Sequence, residues 1–160
     1  MRKRSLNQNI SIIALGCSAL LFSVIACSRA PEVPPKAVEM KVDDTMKFDV
    51  TAFEVKPGQK VSVTLRNVGT SPKASMGHNF VLLSRNVTME KFADAASMHA
   101  ATEYVPPDLK KDVIAHTKLL GPGETDTVTF TAPYVLGDNN YLCSFPGHYT
   151  QGAKGIMTVK

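Results

Sequence analysis

Short runs in which apolar and polar residues alternate constrain the fold of this chain most. Val61, Val63 and Leu65 share one face of such a run, because successive side chains of a strand point to opposite sides. We predict strands from Val38 onward, at 46–51, 61–65, 78–83, 113–119, 127–130, 141–143 and 156–159. About eight strands with no alternation of strand and helix predict an all-β fold, an antiparallel Greek-key β-sandwich.

One segment breaks this pattern. Residues 88–104 are rich in Ala, Met and Glu, with Phe92 and Ala96 at helical spacing, and Pro106 and Pro107 follow. The segment predicts a helical insertion between strands, packed on the outside of the sandwich.

Residues 1–26 have the layout of a signal peptide. A basic start at 2–4 precedes an apolar run at 10–25 that ends with small residues before Cys27. This ending resembles the lipobox of bacterial lipoproteins; an uncleaved anchor helix and an ordinary signal peptide are the alternatives. The resemblance implies that Cys27 is acylated and becomes the mature N-terminus. Ser28 follows it, and by analogy with lipoprotein sorting in Gram-negative bacteria this favours the outer membrane.

We therefore expect an exported protein anchored by Cys27, at the outer membrane and facing the periplasm or the cell surface. Residues 27–37, with Pro31, Pro34 and Pro35, predict a stiff tether. Residues 38–160 are long enough for one domain with one core.

The charge of the chain gives no case for nucleic-acid binding. The chain has 18 Lys and Arg against 14 Asp and Glu, a net charge of +4. Three of the cationic residues lie in the predicted signal peptide, so the mature protein has 15 against 14, a net charge of +1. A nearly neutral domain lacks the basic surface that nucleic acids require.

The cysteines separate by role. Cys17 leaves with the signal peptide and Cys27 carries the acyl chains, so Cys143 is the one thiol of the exported domain and has no internal disulfide partner. His148 follows Cys143 across a tight loop, and a thiolate with an imidazole suits copper. An electron-transfer copper site needs a second histidine, for which His78 is the candidate.

Three blocks of the sequence resemble the azurins and auracyanins, which are blue copper proteins, or cupredoxins. The blocks are residues 72–82, 113–124 and 143–148, in the same order as in that family. The resemblance covers residues 38–160, including the helical insertion. It implies a cupredoxin fold with one copper ion that alternates between Cu(I) and Cu(II).

The resemblance also implies a ligand set. His78, Cys143 and His148 match the three strong copper ligands, and Gly77 matches the residue whose backbone carbonyl lies at long range on one axial side.

Around the ligands, the resemblance implies supporting and docking residues. Asn79 and Phe145 match positions that fix the ligand loops and direct amide groups at the cysteine sulfur. With Phe145, the residues Met76, Pro146 and Gly147 are expected to form an apolar collar around the loop histidine, where redox partners dock weakly.

The sequence departs from the family at the axial ligand. Azurins have a methionine four residues past the loop histidine and auracyanins five past, and here these positions are Gly152 and Ala153. Our first expectation is that no side chain fills the axial position. Gln151 is the nearest alternative donor, through its amide oxygen, and water is a further one. Met157 is expected in the core.

These features predict a lipid-anchored blue copper electron carrier, docking with redox proteins such as c-type cytochromes or copper enzymes. The alternative is an envelope copper carrier or chaperone that uses the same site. We expect no enzymatic activity, because the sequence offers no acid to orient a Cys143–His148 pair and no oxyanion donors. His99 and His116 are expected to lie outside the metal site.

Overall fold

Eight strands in two facing sheets form the part of the chain that the computed structural model describes, residues 33–160. The strands are β1 (Lys36–Val42), β2 (Ala52–Val55), β3 (Lys60–Asn67), β4 (Val81–Leu83), β5 (Val113–His116), β6 (Thr125–Thr131), β7 (Gly137–Leu142) and β8 (Lys154–Val159). The helices are α1 (Lys73–Met76), α2 (Met89–Ala96) and α3 (His148–Gln151), with 3₁₀ turns at Ala100–Thr102 and Pro107–Asp112.

One sheet has the strand order β1-β3-β6, and the other has the order β2-β8-β7-β4-β5. This confirms the predicted β-sandwich with a helical insertion. The expectations for the signal peptide, for acylation of Cys27 and for the start of the tether lie outside the described residues. Between residues 33 and 160, no helix has the length and apolar character needed to cross a bilayer.

The main core lies between the two sheets. Val61, Val63 and Leu65 of β3 are fully buried, as their alternation predicts. From the opposite sheet Tyr141 fills the centre, where its hydroxyl donates a hydrogen bond of 2.7 Å to the Val50 carbonyl. The buried phenol is therefore hydrogen-bonded, as a buried polar group must be to avoid a large desolvation cost.

The expectation that all strands pair antiparallel is wrong for two pairs. β1 is parallel to β3, and β2 is parallel to β8. After β1 the chain crosses to the other sheet for β2 and returns as β3, so β1 and β3 run in the same direction. The crossing depends on contacts between distant residues, which an alternating pattern does not encode.

The predicted strand at 46–51 is also wrong. Met46 has a φ of 57°, and its N–H donates to the Asp43 carbonyl in a turn. Phe48 makes only an isolated bridge to Val42, and the strand begins later, with β2. The alternation arises because Phe48 is buried where the chain turns from one sheet to the other.

The helical insertion is shorter than the predicted 88–104. Thr88 caps α2 by accepting the Lys91 N–H, and the helix ends at Ala96. Beyond it the Tyr104 N–H donates to the His99 carbonyl, which closes the chain into turns. The packing of α2 on the outside of the sandwich is as predicted. A second core forms there, from Val81, Leu83, Val87, Phe92, Ala96, Val105 and Leu142.

Candidate metal centre

His78 is held where the chain enters β4. Its N–H donates to the Leu120 carbonyl at 3.0 Å and its carbonyl accepts the Leu120 N–H at 2.7 Å. The preceding residue must be glycine, because a Cβ on Gly77 would lie 2.7 Å from the Lys73 carbonyl oxygen and 2.9 Å from the Leu119 side chain. The imidazole therefore enters the interior from a backbone fixed on both sides.

Cys143 and His148 lie at the two ends of a tight loop between β7 and α3. The Cys143 N–H donates to the Ala153 carbonyl at 2.9 Å, and the His148 N–H donates to the Phe145 carbonyl at 3.1 Å. Gly147 has a φ of 85° and Gly152 a φ of 114°, backbone conformations that glycine adopts at little cost. Gly147 lets the chain turn between Cys143 and His148, and Gly152 lets it turn from α3 into β8.

The three side chains meet at one point. His148 Nδ1 lies 3.1 Å from His78 Nδ1 and 3.4 Å from Cys143 Sγ, and His78 Nδ1 lies 3.9 Å from the same sulfur. A metal ion with bonds of about 2.0–2.3 Å to nitrogen and sulfur fits among donors at such separations. Two imidazoles and one thiolate, with no carboxylate among them, form a donor set that suits copper.

Burial sets the protonation of the three groups. It lowers the pKa of His78 to about 4, and burial followed by the proximity of His78 lowers the pKa of His148 to about 4. Both imidazoles are therefore neutral at pH 7 and offer lone pairs. Burial raises the pKa of the Cys143 thiol to about 11, so a metal must displace its proton.

Two backbone N–H groups, of Asn79 and Phe145, point at the Cys143 sulfur and oppose the effect of burial on its pKa. They favour the thiolate, because hydrogen bonds to a charged form stabilise it. These are the two residues that the sequence singled out for that role.

A buried hydrogen-bond network holds Asn79. Its side-chain oxygen accepts the Ser144 N–H at 2.8 Å, and its Nδ2 donates to Ser144 Oγ at 2.8 Å and to the Glu103 carbonyl at 3.0 Å. The Glu103 carboxylate accepts the Leu119 N–H at 3.1 Å. The end of the helical insertion is thereby tied to both ligand-bearing loops.

Aromatic rings cover the centre. Phe145 packs between Tyr104, whose ring meets it edge-to-face with a centroid distance of 4.9 Å, and His148, whose ring is tilted and 4.7 Å away. His148 is 1% exposed and Phe145 is 8% exposed. Water is thus largely excluded from the cluster on this side.

The axial region contains Ala153, which is fully buried, and Gln151, which is exposed. The structure does not bring the Gln151 side chain into the buried cluster. Met157 is fully buried in the main core, as expected.

The expected docking residues lie around the loop and differ in their exposure to solvent. Pro146 and Gly147 are exposed, Met76 is half-buried and Phe145 is buried beneath them. His116 is exposed at the end of β5, outside the cluster.

Sequence reasoning missed Ser144, Glu103 and Tyr104. Glu103 and Tyr104 have φ values of 53° and 62°, conformations that are uncommon for residues other than glycine. Only Ser144, next to Cys143 and able to hydrogen bond, gave any signal in the sequence.

Comparison with known proteins adds independent evidence. The family described as copper binding proteins, plastocyanin/azurin family, matches residues 36–160. The azurin of Pseudomonas aeruginosa is 36% identical over 127 residues, which is 78% of this chain and 98% of that protein.

Two further proteins are similar. Outer membrane protein H.8 of Neisseria gonorrhoeae is 40% identical over 114 residues, 70% of this chain, and the match spans 61% of the length of that protein. The crystal structure of dithionite-reduced auracyanin from Roseiflexus castenholzii superposes with a TM-score of 0.65 at 33% identity, covering 78% of this chain and 96% of that one.

Proposed function

The chain belongs to the plastocyanin/azurin family of copper-binding proteins and is a cupredoxin with one copper ion, and from this premise we propose that it is a lipid-anchored electron carrier with no side-chain axial ligand. The observation that carries the proposal is the convergence of His78 Nδ1, Cys143 Sγ and His148 Nδ1 within 4 Å of one another in a buried site. Copper held by these donors would take up and release single electrons.

The chain supplies copper ligands that are held rigidly and from which water is largely excluded. His78 is fixed by its two backbone hydrogen bonds to Leu120, and the Cys143 loop is fixed by Asn79. Groups held by packing and hydrogen bonds reorganise little when the charge of the site changes. Such a site favours rapid electron transfer over chemical conversion of a substrate.

The axial position is proposed to lack a side-chain donor, because Ala153 carries only a methyl group and Gln151 is exposed. The thiolate and two imidazoles supply most of the binding of copper, so the metal is retained. The oxidised state loses some stabilisation without an axial donor, and the reduction potential is therefore raised.

The proposed place of action is the cell envelope. The lipobox-like Cys27 and the signal peptide before it support export and anchoring at the outer membrane. The name of the similar Neisseria protein, outer membrane protein H.8, is in keeping with this location. Weakly docking redox proteins, such as c-type cytochromes or copper enzymes, are the proposed partners, with the exposed Pro146–Gly147 loop as their contact.

Burial of the donors favours the electron carrier over a copper chaperone. Transfer of copper between proteins requires a partner's ligands to reach the metal. His78, Cys143 and His148 are each at most 1% exposed, so little of the ligand set is accessible for exchange.

The test is the visible and electron spin resonance spectrum of the protein loaded with Cu(II), with Cys143→Ser as the control. We expect an intense thiolate-to-copper band that bleaches on reduction, returns on reoxidation and is absent from the control. Stopped-flow mixing with a reduced c-type cytochrome should then restore the bleached state. Weak copper binding without this band would overturn the electron-carrier proposal, and rapid loss of copper to an apo-acceptor protein would favour the chaperone.

A further inference from the structure

Three consecutive large apolar side chains project from the domain between β6 and β7. Tyr134, Val135 and Leu136 are 78%, 67% and 62% exposed. We call these three residues the apolar tip. Exposed apolar side chains that are contiguous mark interaction sites more often than isolated ones do.

The backbone of the apolar tip is fixed by the rest of the domain. Arg85 donates from Nη2 to the Val135 carbonyl at 2.9 Å and from Nε to the Asp138 carbonyl at 3.0 Å. The Tyr134 ring lies against Gly58, where a Cβ would be 2.7 Å from the ring. The apolar side chains are thus presented outward from a built loop.

The tether enters the domain beside the apolar tip. Gln59 Nε2 donates to the Pro34 carbonyl at 2.8 Å. Gln59 and its neighbour Gly58 are in turn hydrogen-bonded to Ala132, two residues before Tyr134, at 2.9 and 3.2 Å. The chain that leads to Cys27 and the apolar tip therefore leave the domain from the same end.

The metal centre lies at the opposite end. β7 begins at Gly137, directly after the apolar tip, and runs to Leu142, directly before Cys143. A strand of this length spans about 20 Å. His78 precedes β4, which pairs antiparallel with the Leu142 end of β7, so it belongs to the same far end.

The end that carries the apolar tip is also positively charged. Its cationic side chains are Lys36, Lys56, Lys60, Arg85 and Lys160. The nearby carboxylates include Glu54, which pairs with Lys160 at 2.6 Å, Asp138, which accepts the Thr158 hydroxyl at 2.7 Å, and Asp112, whose carbonyl accepts the Ser84 N–H. Basic side chains around an apolar group complement a bilayer that contains anionic lipids.

The tether limits how far the end that carries the apolar tip can move from the anchor. Cys27 and Lys36 are nine positions apart in the sequence, and so are separated by at most about 30 Å even when fully extended. An acylated Cys27 would therefore keep the end that carries the apolar tip within reach of the lipid.

We propose that the apolar tip docks on the bilayer that holds the acyl chains of Cys27. Tyr134, Val135 and Leu136 enter the boundary between headgroups and acyl chains, and the surrounding basic side chains contact anionic headgroups. This holds the metal centre on the side away from the membrane, where it faces its redox partners. The inference rests on the lipid anchor of the proposed function.

The absence of tryptophan from the chain makes a sharp test available. Leu136→Trp places a single fluorophore in the apolar tip, and Val68→Trp places one at the metal end, where Val68 is 47% exposed. The full chain is produced in a lipoprotein-processing host and reconstituted into vesicles that contain phosphatidylglycerol, with or without bromine on the acyl chains near the headgroups. Both variants are first checked for the thiolate-to-copper band, and Val135→Trp replaces Leu136→Trp if that band is lost.

We expect brominated lipid to quench Leu136→Trp about twofold, because interfacial side chains enter the bilayer by about 5–10 Å, and to leave Val68→Trp unchanged. Equal emission of Leu136→Trp in both kinds of vesicle, or equal quenching of the two variants, overturns the docking. A blue shift of the tryptophan emission without vesicles that grows with protein concentration also overturns the docking, because a second copy of the chain then covers the apolar tip.

Mass spectrometry tests separately whether Cys27 is acylated. An unacylated Cys27 overturns both the anchor and the docking, whereas the copper spectrum tests electron transfer independently of either.

Discussion

Asn79 and Ser144 are joined by reciprocal hydrogen bonds, one to the Ser144 N–H and one to its hydroxyl, each 2.8 Å long. The two residues are 65 positions apart, and each adjoins a proposed copper ligand. This contact therefore ties the His78 segment to the Cys143 loop through hydrogen bonds that do not involve the ligand side chains.

Asn79→Leu should lower the free energy of unfolding of the metal-free protein by about 2–4 kcal/mol. The Ser144 N–H and the Glu103 carbonyl would each lose a buried partner, and a buried unsatisfied group costs about 1–3 kcal/mol. Ser144→Ala, which removes the hydroxyl alone, should cost about 1 kcal/mol. Urea unfolding measures both, and equal destabilisation by the two substitutions would contradict this account.

Ala153→Met should lower the reduction potential. A thioether near the centre stabilises the oxidised state, which has the greater demand for donors. Because Ala153 is fully buried, the longer side chain should also destabilise the metal-free protein, by about 1–3 kcal/mol. Voltammetry measures the potential, and Gln151→Ala is the matched control. A shift of the potential in the control would identify Gln151 as the axial donor instead.

Phe145→Ala should open the centre to solvent, because Phe145 lies between Tyr104 and His148. We expect faster loss of copper to a chelator, together with a destabilisation of about 3–5 kcal/mol. Phe92→Ala is the control, since Phe92 is equally apolar and fully buried but lies on α2, in the second core. It should destabilise the fold by a similar amount without changing the rate of copper loss when measured under folding conditions. Equal rates in the two variants would show that Phe145 does not shield the site.

The sandwich could be predicted because its evidence is local. Val61, Val63 and Leu65 alternate with polar residues, and burial on one face requires that alternation wherever the strand lies. The crossing at 46–51 could not be predicted, because Phe48 alternates with polar neighbours just as a strand residue does. Only its partner Val42 and the left-handed Met46 reveal the turn.

Part of the candidate site could likewise be predicted from the sequence, and part of it could not. The sequence shows the donor types and the Cys143–His148 spacing. It also shows that Ala153 cannot supply an axial thioether. It does not show the support from Glu103 and Tyr104, because that support depends on two consecutive left-handed residues and on a contact with Asn79. Such conformations are imposed by packing and carry no composition signal in residues other than glycine.

Gly155→Ala should be among the more damaging small substitutions in the domain. A Cβ at Gly155 would clash with the Tyr141 ring and would lie 2.5 Å from the Thr51 carbonyl oxygen, so ring and backbone must both move. We expect a loss of about 3 kcal/mol in the free energy of unfolding. Gly123→Ala is the control, because Gly123 has a φ of 75° but open space around it, and should cost about 1 kcal/mol. Thermal unfolding of both variants measures the difference, and an equal loss would mean that the close approach to Tyr141 is easily relieved.

Asp44→Asn should remove a pH-dependent part of the stability. The Asp44 carboxylate accepts hydrogen bonds from the Thr70 N–H, the Thr70 hydroxyl and the Ser71 N–H, at 3.0, 2.9 and 3.3 Å. The bond from the Thr70 backbone is the main cause that lowers the pKa of Asp44 below its ordinary 3.8.

A carboxyl group whose pKa is lowered on folding stabilises the folded state at pH values above its unfolded pKa. That contribution is lost as the pH falls through the folded pKa. The difference in unfolding free energy between the wild type and Asp44→Asn should therefore be constant above about pH 5 and should shrink at more acidic pH. Urea unfolding at a series of pH values gives the comparison, and a difference that grows on acidification would contradict the sign.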